Sequence, residues 1–437
     1  MIEMTTAAGF TDETFDRFVE SRNEPGWLVD HRRSAWDIYK TLPWPSRREE
    51  EWTRTDIRLF KLDRFGLPID GELKQPAGEA LLADGVQLGG KSASINSRSI
   101  ELSLDARWSD QGVLFGSLSQ LASEHPELIQ EILGRRQLKA GKDRFAALNN
   151  ACWSNGNVLY VPRGVMLDEP LHLHAMIADG GVDLSHTVIV LEEGAAATVL
   201  SESSSENAES DGFHCGSVEM MLAGGANLRY VNLQNWSHNT WHFSHQSAQL
   251  GQDASLQWTV GAIGSRLSKV NQQVRLAGPG ANCQVNGVLF TEGKQHLSYH
   301  TLQHHQAPNC HSDFLYKAAL QDRSRTIWRG MIEVDPVAQQ TNGYQRNDNL
   351  LLSNQARADS IPGLEIDADD VRCTHGATTG KVDEELIFYA TCRGFTRLEA
   401  TRLVVCGFFQ QVIDRITIDS VREALTQAIG RRVRDYA

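Results

Sequence analysis

The stretch Met221-Leu222-Ala223-Gly224-Gly225-Ala226-Asn227-Leu228-Arg229-Tyr230 decides the fold. An apolar run ends at Leu222, a small-residue turn follows, and Ala226 opens a new alternating run whose inward position is Leu228. The same corner recurs with Leu191 and Ala197, with Leu250 and Ala254, and with Leu276 and Ala281. The four alanines stand 29, 28 and 27 residues apart, and two residues beyond each come Val199, Leu228, Leu256 and Cys283. A constant period built only of short strands marks a stacked β-solenoid, in which no coil buries its apolar face alone. A β-sandwich also fits turns at this density, but it does not explain the repeated corner. The expectation is a mainly β chain with a parallel β-helix core.

Outward from that corner, alternation of period 2 holds over about residues 158–366, as in Leu171-His172-Leu173-His174. The β-helix core is therefore placed at residues 146–368. Residues 1–145 read as a helical and mixed region. Phe15, Phe18 and Val19 follow Thr11 and Asp12, either of which could cap a helix. Trp27, Leu28, His31, Ala35, Ile38 and Tyr39 trace a second stripe, and a further helix over 126–133 is closed by Gly134. Residues 369–437 read as a C-terminal helical domain. Val382, Leu386 and Tyr389 form one stripe there, with Gly394 as terminator. Thr396 and Glu399 form a capping box before Ala400, Leu403, Val404, Gly407, Phe408 and Val412. Ser420 and Glu423 form another before Leu425, Ala428, Ile429 and Val433. The helical domains at the two termini are expected to cap the two ends of the solenoid.

Composition narrows the function. The chain has 437 residues, 41% of them hydrophobic, and a net charge of -13. That charge repels phosphate backbones, so nucleic acid is not an expected partner. The longest apolar stretch, 403–409, is far short of the ~20 residues a membrane helix needs, so no membrane is expected either. The first residues lack the basic and apolar segments of an export signal. The seven cysteines include no C-x-x-C pair, which excludes a zinc ribbon and points to reduced thiols in the cytoplasm. No nucleophile elbow, Walker lysine loop or dinucleotide fingerprint is present, so no enzyme activity is expected.

Three groups of residues could carry chemistry. His296, His300, His304, His305 and His311, with Cys310, form the densest titratable cluster. On a strand His296, His300 and His304 project to one face and could ligate a metal. Without a carboxylate or second cysteine, a solvated outer face is the stronger reading. Trp236, His238, Trp241, His242 and His245 form a second patch, read as sheet-edge or interface packing. The third is Asp369-Asp370-Val371-Arg372-Cys373-Thr374-His375-Gly376, where strands give way to helices. Extended residues i and i+2 point the same way, so Cys373 and His375 share a face. A thiolate and an imidazole suit iron or an iron–sulfur unit, with the remaining ligands coming from a partner chain. On spacing alone, a turn with an incidentally buried cysteine is the stronger reading.

The motifs in their order resemble the SufB/SufD family of iron–sulfur cluster assembly proteins. They include Arg48-Glu49-Glu50-Glu51-Trp52, His305-x-x-Pro308-Asn309, Tyr316-Lys317-Ala318, Arg329-Gly330-Met331-Ile332, Asn349-Leu350-Leu351-Leu352-Ser353 and the Asp369 run. Phe388-Tyr389-x-x-x-Arg393-Gly394 closes the series. The resemblance covers nearly the whole chain. It implies a right-handed parallel β-helix flanked by helical domains, and a scaffold within a cytoplasmic complex of SufB, SufD and the ATPase SufC. SufB and SufD would pair through their cores, or the chain would pair with a second copy of itself, and SufC would dock on the C-terminal helices. A transient cluster would form at the interface with SufB, none being held tightly by this chain alone. The motif implies Cys373 and His375 as cluster-binding residues and His375 as the metal ligand. Two departures place the resemblance on the SufD side: Tyr344-Gln345-Arg346-Asn347 stands where SufB has a cysteine, and Gly376 follows the histidine where SufB has glutamate. The alternative is a β-helix carbohydrate-active enzyme, which would want paired carboxylates on a groove.

Overall fold

Each coil of the central region sends one strand into each of two sheets, so strands next in sequence lie in opposite sheets. In the computed structural model, which describes residues 7–68, 80–135 and 137–434, the strand pairs between coils are parallel and in register. Parts of the regions 1–145 and 369–437 thus lie outside the described residues. In sheet one, Ala197, Leu228, Leu256, Cys283, Ser312, Gly343 and Cys373 form one continuous column. The neighbouring column is Val199, Tyr230, Trp258, Val285, Phe314, Gln345 and His375. Both columns are buried until they reach the last coil.

This register corrects the repeat at one end. Ala196 pairs with Asn227, so the counterpart of Ala226 is Ala195, and Ala197 belongs with Leu228. Val199 accordingly stacks on Tyr230 rather than in the Leu228 column. The conserved element of the corner is backbone conformation. Gly194, Gly225, Asp253, Gly280, Asn309 and Gln340 all have positive φ, between 53° and 74°. Each stands immediately before a buried corner residue. Glycine adopts that conformation freely and Asn or Asp tolerates it, which is why the turns are rich in these types.

The helical regions cover the faces of the solenoid, contrary to the expectation that they cap its ends. Phe213, Trp241, Phe243 and Leu267 on the outer face of sheet two bury against Phe15, Trp36, Trp52, Phe60 and Phe145. The rings of Phe145 and Phe243 stack with centroids 3.8 Å apart. Leu200, Val231, Val288, Phe290 and Leu315 on the outer face of sheet one bury against Val405, Phe409, Val412, Leu425 and Ile429. The outer faces offer broad apolar surface, and removing it from water drives the docking. The N-terminal region also adds strands of its own, Gly90–Ile95 and Arg98–Leu104 to sheet one and Leu114–Ser117 to sheet two. At the other end the strand Val371–Lys381 lies wholly within the region 369–437 that was expected to be helical, and the helices begin at Glu384.

Local signals place most helices well. Thr11 caps Asp12–Glu20 and Asp143 caps Arg144–Cys152, while Thr396 and Glu399 form the expected box before Arg397–Ile413. The box at Ser420 does not form. That helix starts at Asp419 with Ile418 as its N-cap, which puts Ser420 inside the first turn. Two apolar stripes are also rotated. Ile387 is buried while Leu386 and Tyr389 are exposed, and Val405 and Phe409 are buried while Leu403 is exposed.

Leu256 lies mid-column, 1% exposed, between Leu228 and Cys283. Leu256→Asp removes apolar contacts and buries an unpaired carboxylate, so it should cost roughly 3–5 kcal/mol. Thermal melts would show a large drop in midpoint. A wild-type midpoint would contradict the inward assignment.

Candidate functional site at the open end of the solenoid

The interior of the solenoid changes character in its last two coils. Phe314 is followed in register by Gln345, Tyr316 by Asn347 and Ala318 by Asn349. These amides are buried and bonded across the lumen. Gln345 Nε2 donates to Gly363 O at 2.9 Å, and Asn349 Nδ2 to Ser360 Oγ at 3.0 Å. Asn347 Oδ1 accepts from Ser360 Oγ across the lumen, and its Nδ2 donates within sheet one to Tyr316 O at 3.3 Å. Directional bonds of this kind favour one geometry where apolar packing would tolerate several, although Gln345 Oε1 is buried without a hydrogen-bond partner.

Above this layer lies the strand Val371–Lys381, the edge of sheet one, and beside it Arg357–Ile366, the edge of sheet two. Both are largely exposed, with Leu364 and Ile366 among the exposed apolar residues. Cys373 and His375 share the lumen-facing side, in register with Gly343 and Gln345. Their surroundings differ. Cys373 packs against Ile332, Val334 and Ala338, and burial pushes its thiol up, away from the thiolate. His375 is exposed, and among the described residues no partner engages its imidazole. Arg346 bonds Asp348 through Nε at 3.0 Å, and a guanidinium has no lone pair to offer a metal. Among the described residues no group of three or more His, Cys, Asp or Glu could hold a metal ion. One accessible imidazole could supply one metal ligand.

The other two sequence clusters come apart. His296, His300 and His304 do share the outer face of His296–His305, but they stand among cations and acids. Burial, with Arg325 nearby, lowers His296 to about 4. Burial, with Lys269, Arg329 and Lys142, lowers His300 to about 2. His304 bonds Asp335 at 2.9 Å, and His305 turns inward to Ser312 at 2.8 Å. Cys310 precedes His311, which pairs with Asn282, so it takes the corner place of Ala281 and donates to Gly278 O at 3.3 Å. The second patch is split by strand alternation. Trp241 faces the N-terminal helices and His245 bonds Asp143 at 2.7 Å. Trp236 and His242 bond each other at 3.0 Å inside the lumen, where His242 stacks on His214.

One feature was hidden in the sequence. Leu386, Phe388, Tyr389 and Leu403 on the C-terminal helices, and Phe395 between two of them, are exposed, with Phe388 70% exposed. Helical periodicity would assign several of them to a core. Polar contacts run from the open coil toward these helices. Thr378 donates to Asp348 at 2.7 Å, Lys317 Nζ stands 3.8 Å from Asp348, and it donates to Phe408 O at 2.9 Å.

Among the described residues the parallel solenoid carries helices on both faces and presents the sheet edges of its last coil. Residues 174–408 match the family model described as "SUF system FeS cluster assembly, SufBD core domain", and residues 16–173 match "SufBD protein N-terminal region". The chain belongs to the SufB/SufD family of iron–sulfur cluster assembly proteins. It is similar to an "Iron-sulfur cluster assembly SufBD family protein" of Staphylococcus epidermidis, 26% identical over 412 residues, covering 92% of this chain and 88% of the relative. Relatives of the same description from Staphylococcus haemolyticus and Staphylococcus aureus match with the same identity and coverage.

The depressed imidazoles give a pH dependence with a definite sign. His296 and His300 titrate at about 4 and about 2 when folded, against ~6.5 in an unfolded chain. Below that unfolded value the unfolded state binds more protons, so stability is lost as pH falls from ~6.5 toward ~4. The melting midpoint should drop between about pH 7 and about pH 5, and His300→Gln should flatten the drop. An equally steep drop in that variant would contradict the assignment.

Proposed function

We propose that the chain is a SufD-like, non-enzymatic scaffold subunit that acts in the cytoplasm. Its open terminal coil pairs with a SufB-type paralogue, and its C-terminal helices dock a SufC-type ATPase. The observation that carries this reading is the uncapped coil itself. Two edge strands present unpaired backbone groups, and an exposed edge of that kind invites pairing with another sheet. His375 stands on that edge, where a neutral imidazole could complete a site whose thiolates come from the partner. The cluster is then cargo built between two chains and held tightly by neither free subunit. No helix among the described residues is long and apolar enough to cross a membrane. The family match sets aside the carbohydrate-active alternative.

His375→Ala should leave the fold and both partner contacts intact but lower the iron and acid-labile sulfide retained by the complex after anaerobic assembly. Circular dichroism serves as the folding control. Wild-type iron and sulfide in a folded variant complex would remove His375 from the site. Cys373→Ala should have an equal or smaller effect, because that thiol is packed and hard to ionise.

The exposed apolar residues of the C-terminal helices support the ATPase contact. Large apolar side chains left in water within one short segment suit an interaction site. Phe388→Ser combined with Leu403→Ser should weaken ATPase binding by at least about tenfold, or ~1.4 kcal/mol, without lowering the melting midpoint. Undiminished co-elution of ATPase and variant on size exclusion would place the contact elsewhere.

A further inference from the structure

A separate feature lies on the outer face of sheet two, away from the strand that carries His375. A cavity of about 440 Å³ opens between the segment 137–142 and residues of Asn239–Leu250, Leu267–Leu276, His296–His305 and Arg325–Val334. That volume suits a small molecule. In a chain of net charge -13, its wall gathers Lys139, Lys142, Arg275 and Arg329 against two carboxylates, Glu51 and Glu333. His300 stands among these cations as a neutral imidazole, able to donate or accept a hydrogen bond.

Lys269 adds an independent sign. It is 2% exposed and donates to Asn271 Oδ1 at 3.1 Å, and Asn271 lines the cavity. Its ammonium lies 5.5 Å from the Trp52 ring. Among the described residues no carboxylate comes within ion-pair distance of it. Burying a cation without a counter-ion is unfavourable. Burial accordingly lowers Lys269 to about 7, although Glu51 and Asp143 act in the opposite direction, with Arg329 and Lys142 adding to the lowering.

We propose that this cavity binds a phosphorylated small molecule. Its phosphate would meet Lys142, Arg329 and His300, and its hydroxyl-bearing body the amides of Gln137, Asn271 and Gln273. Several separate cations outmatch the single charge of a carboxylate and fit a dianion. Among the described residues the wall holds no Phe, Tyr or Trp ring on which a base could stack, so the polar body is that of a sugar or polyol phosphate. The site uses neither His375 nor the exposed apolar residues of the C-terminal helices, and it stands or falls apart from the scaffold reading.

Isothermal titration of the full chain tests it, with ribose 5-phosphate and inorganic phosphate as probes. Ribose 5-phosphate should give a saturable heat with one site and bind more tightly than inorganic phosphate. An anion beside Lys269 favours its charged form, so binding near neutral pH should take up protons, seen as a heat that changes with the buffer's ionisation enthalpy. Lys142→Gln with Arg329→Gln should weaken binding by at least about tenfold, which is ~1.4 kcal/mol. Arg329 also bonds Glu50, so if that variant melts early, Lys139→Gln with Lys142→Gln, both at exposed positions, takes its place with the same expectation. Absence of saturable heat with ribose 5-phosphate, inorganic phosphate binding as tightly as the ester, or unchanged affinity in a folded variant would each overturn the proposal.

Discussion

Parallel pairing between coils has no natural end. Each coil of this solenoid is stable because another lies on it, sharing backbone hydrogen bonds and a continuous inward column. The N-terminal end finishes in short antiparallel pairs, Gly90–Ile95 with Arg98–Leu104 in sheet one and Leu114–Ser117 with Asn157–Val161 in sheet two. The C-terminal end finishes in two full-length parallel strands. Its last strands leave one row of donors and acceptors unpaired in each sheet, and the helices that might have covered them are committed to the two faces. That unmet pairing is the constraint behind the proposed function.

The coil beneath the open edge is built to bear exposure. An apolar column running to the edge would leave Phe- or Trp-sized surface in water, a liability for aggregation. Here the columns carry Gln345, Asn347 and Asn349 in the coil below the edge, whose amides bond Gly363 and Ser360 across the lumen and link the two sheets. Cys373 keeps one apolar contact in this layer, while His375 stands clear of it. The Thr378, Asp348 and Lys317 contacts tie the edge strand to the main chain of the helix Arg397–Ile413.

Much of the architecture was legible because strands repeat with period 2 and corners with a longer period. The Leu–turn–Ala corner revealed the solenoid, although Ala197 was taken for Ala195 since three alanines stand in a row there. The shared face of Cys373 and His375 followed from the same period. Histidine and tryptophan clusters misled because sequence proximity ignores alternation: Trp241 and His242 are neighbours in the chain and lie on opposite sides of a sheet. The exposed stripe of Leu386, Tyr389 and Leu403 could not be told from a core stripe, because periodicity finds an apolar face without saying what covers it. The uncapped end was equally invisible, being a matter of where the helices dock.

Hydrogen exchange at the two terminal strands tests the central claim most directly. The amides of Arg357–Ile366 and Val371–Lys381 should exchange quickly on their unpaired sides in the free chain and become protected when a SufB-type partner is added, with the mid-solenoid strands unchanged. Unaltered exchange at both strands in a complex that has demonstrably formed would show that the open end is not the pairing surface.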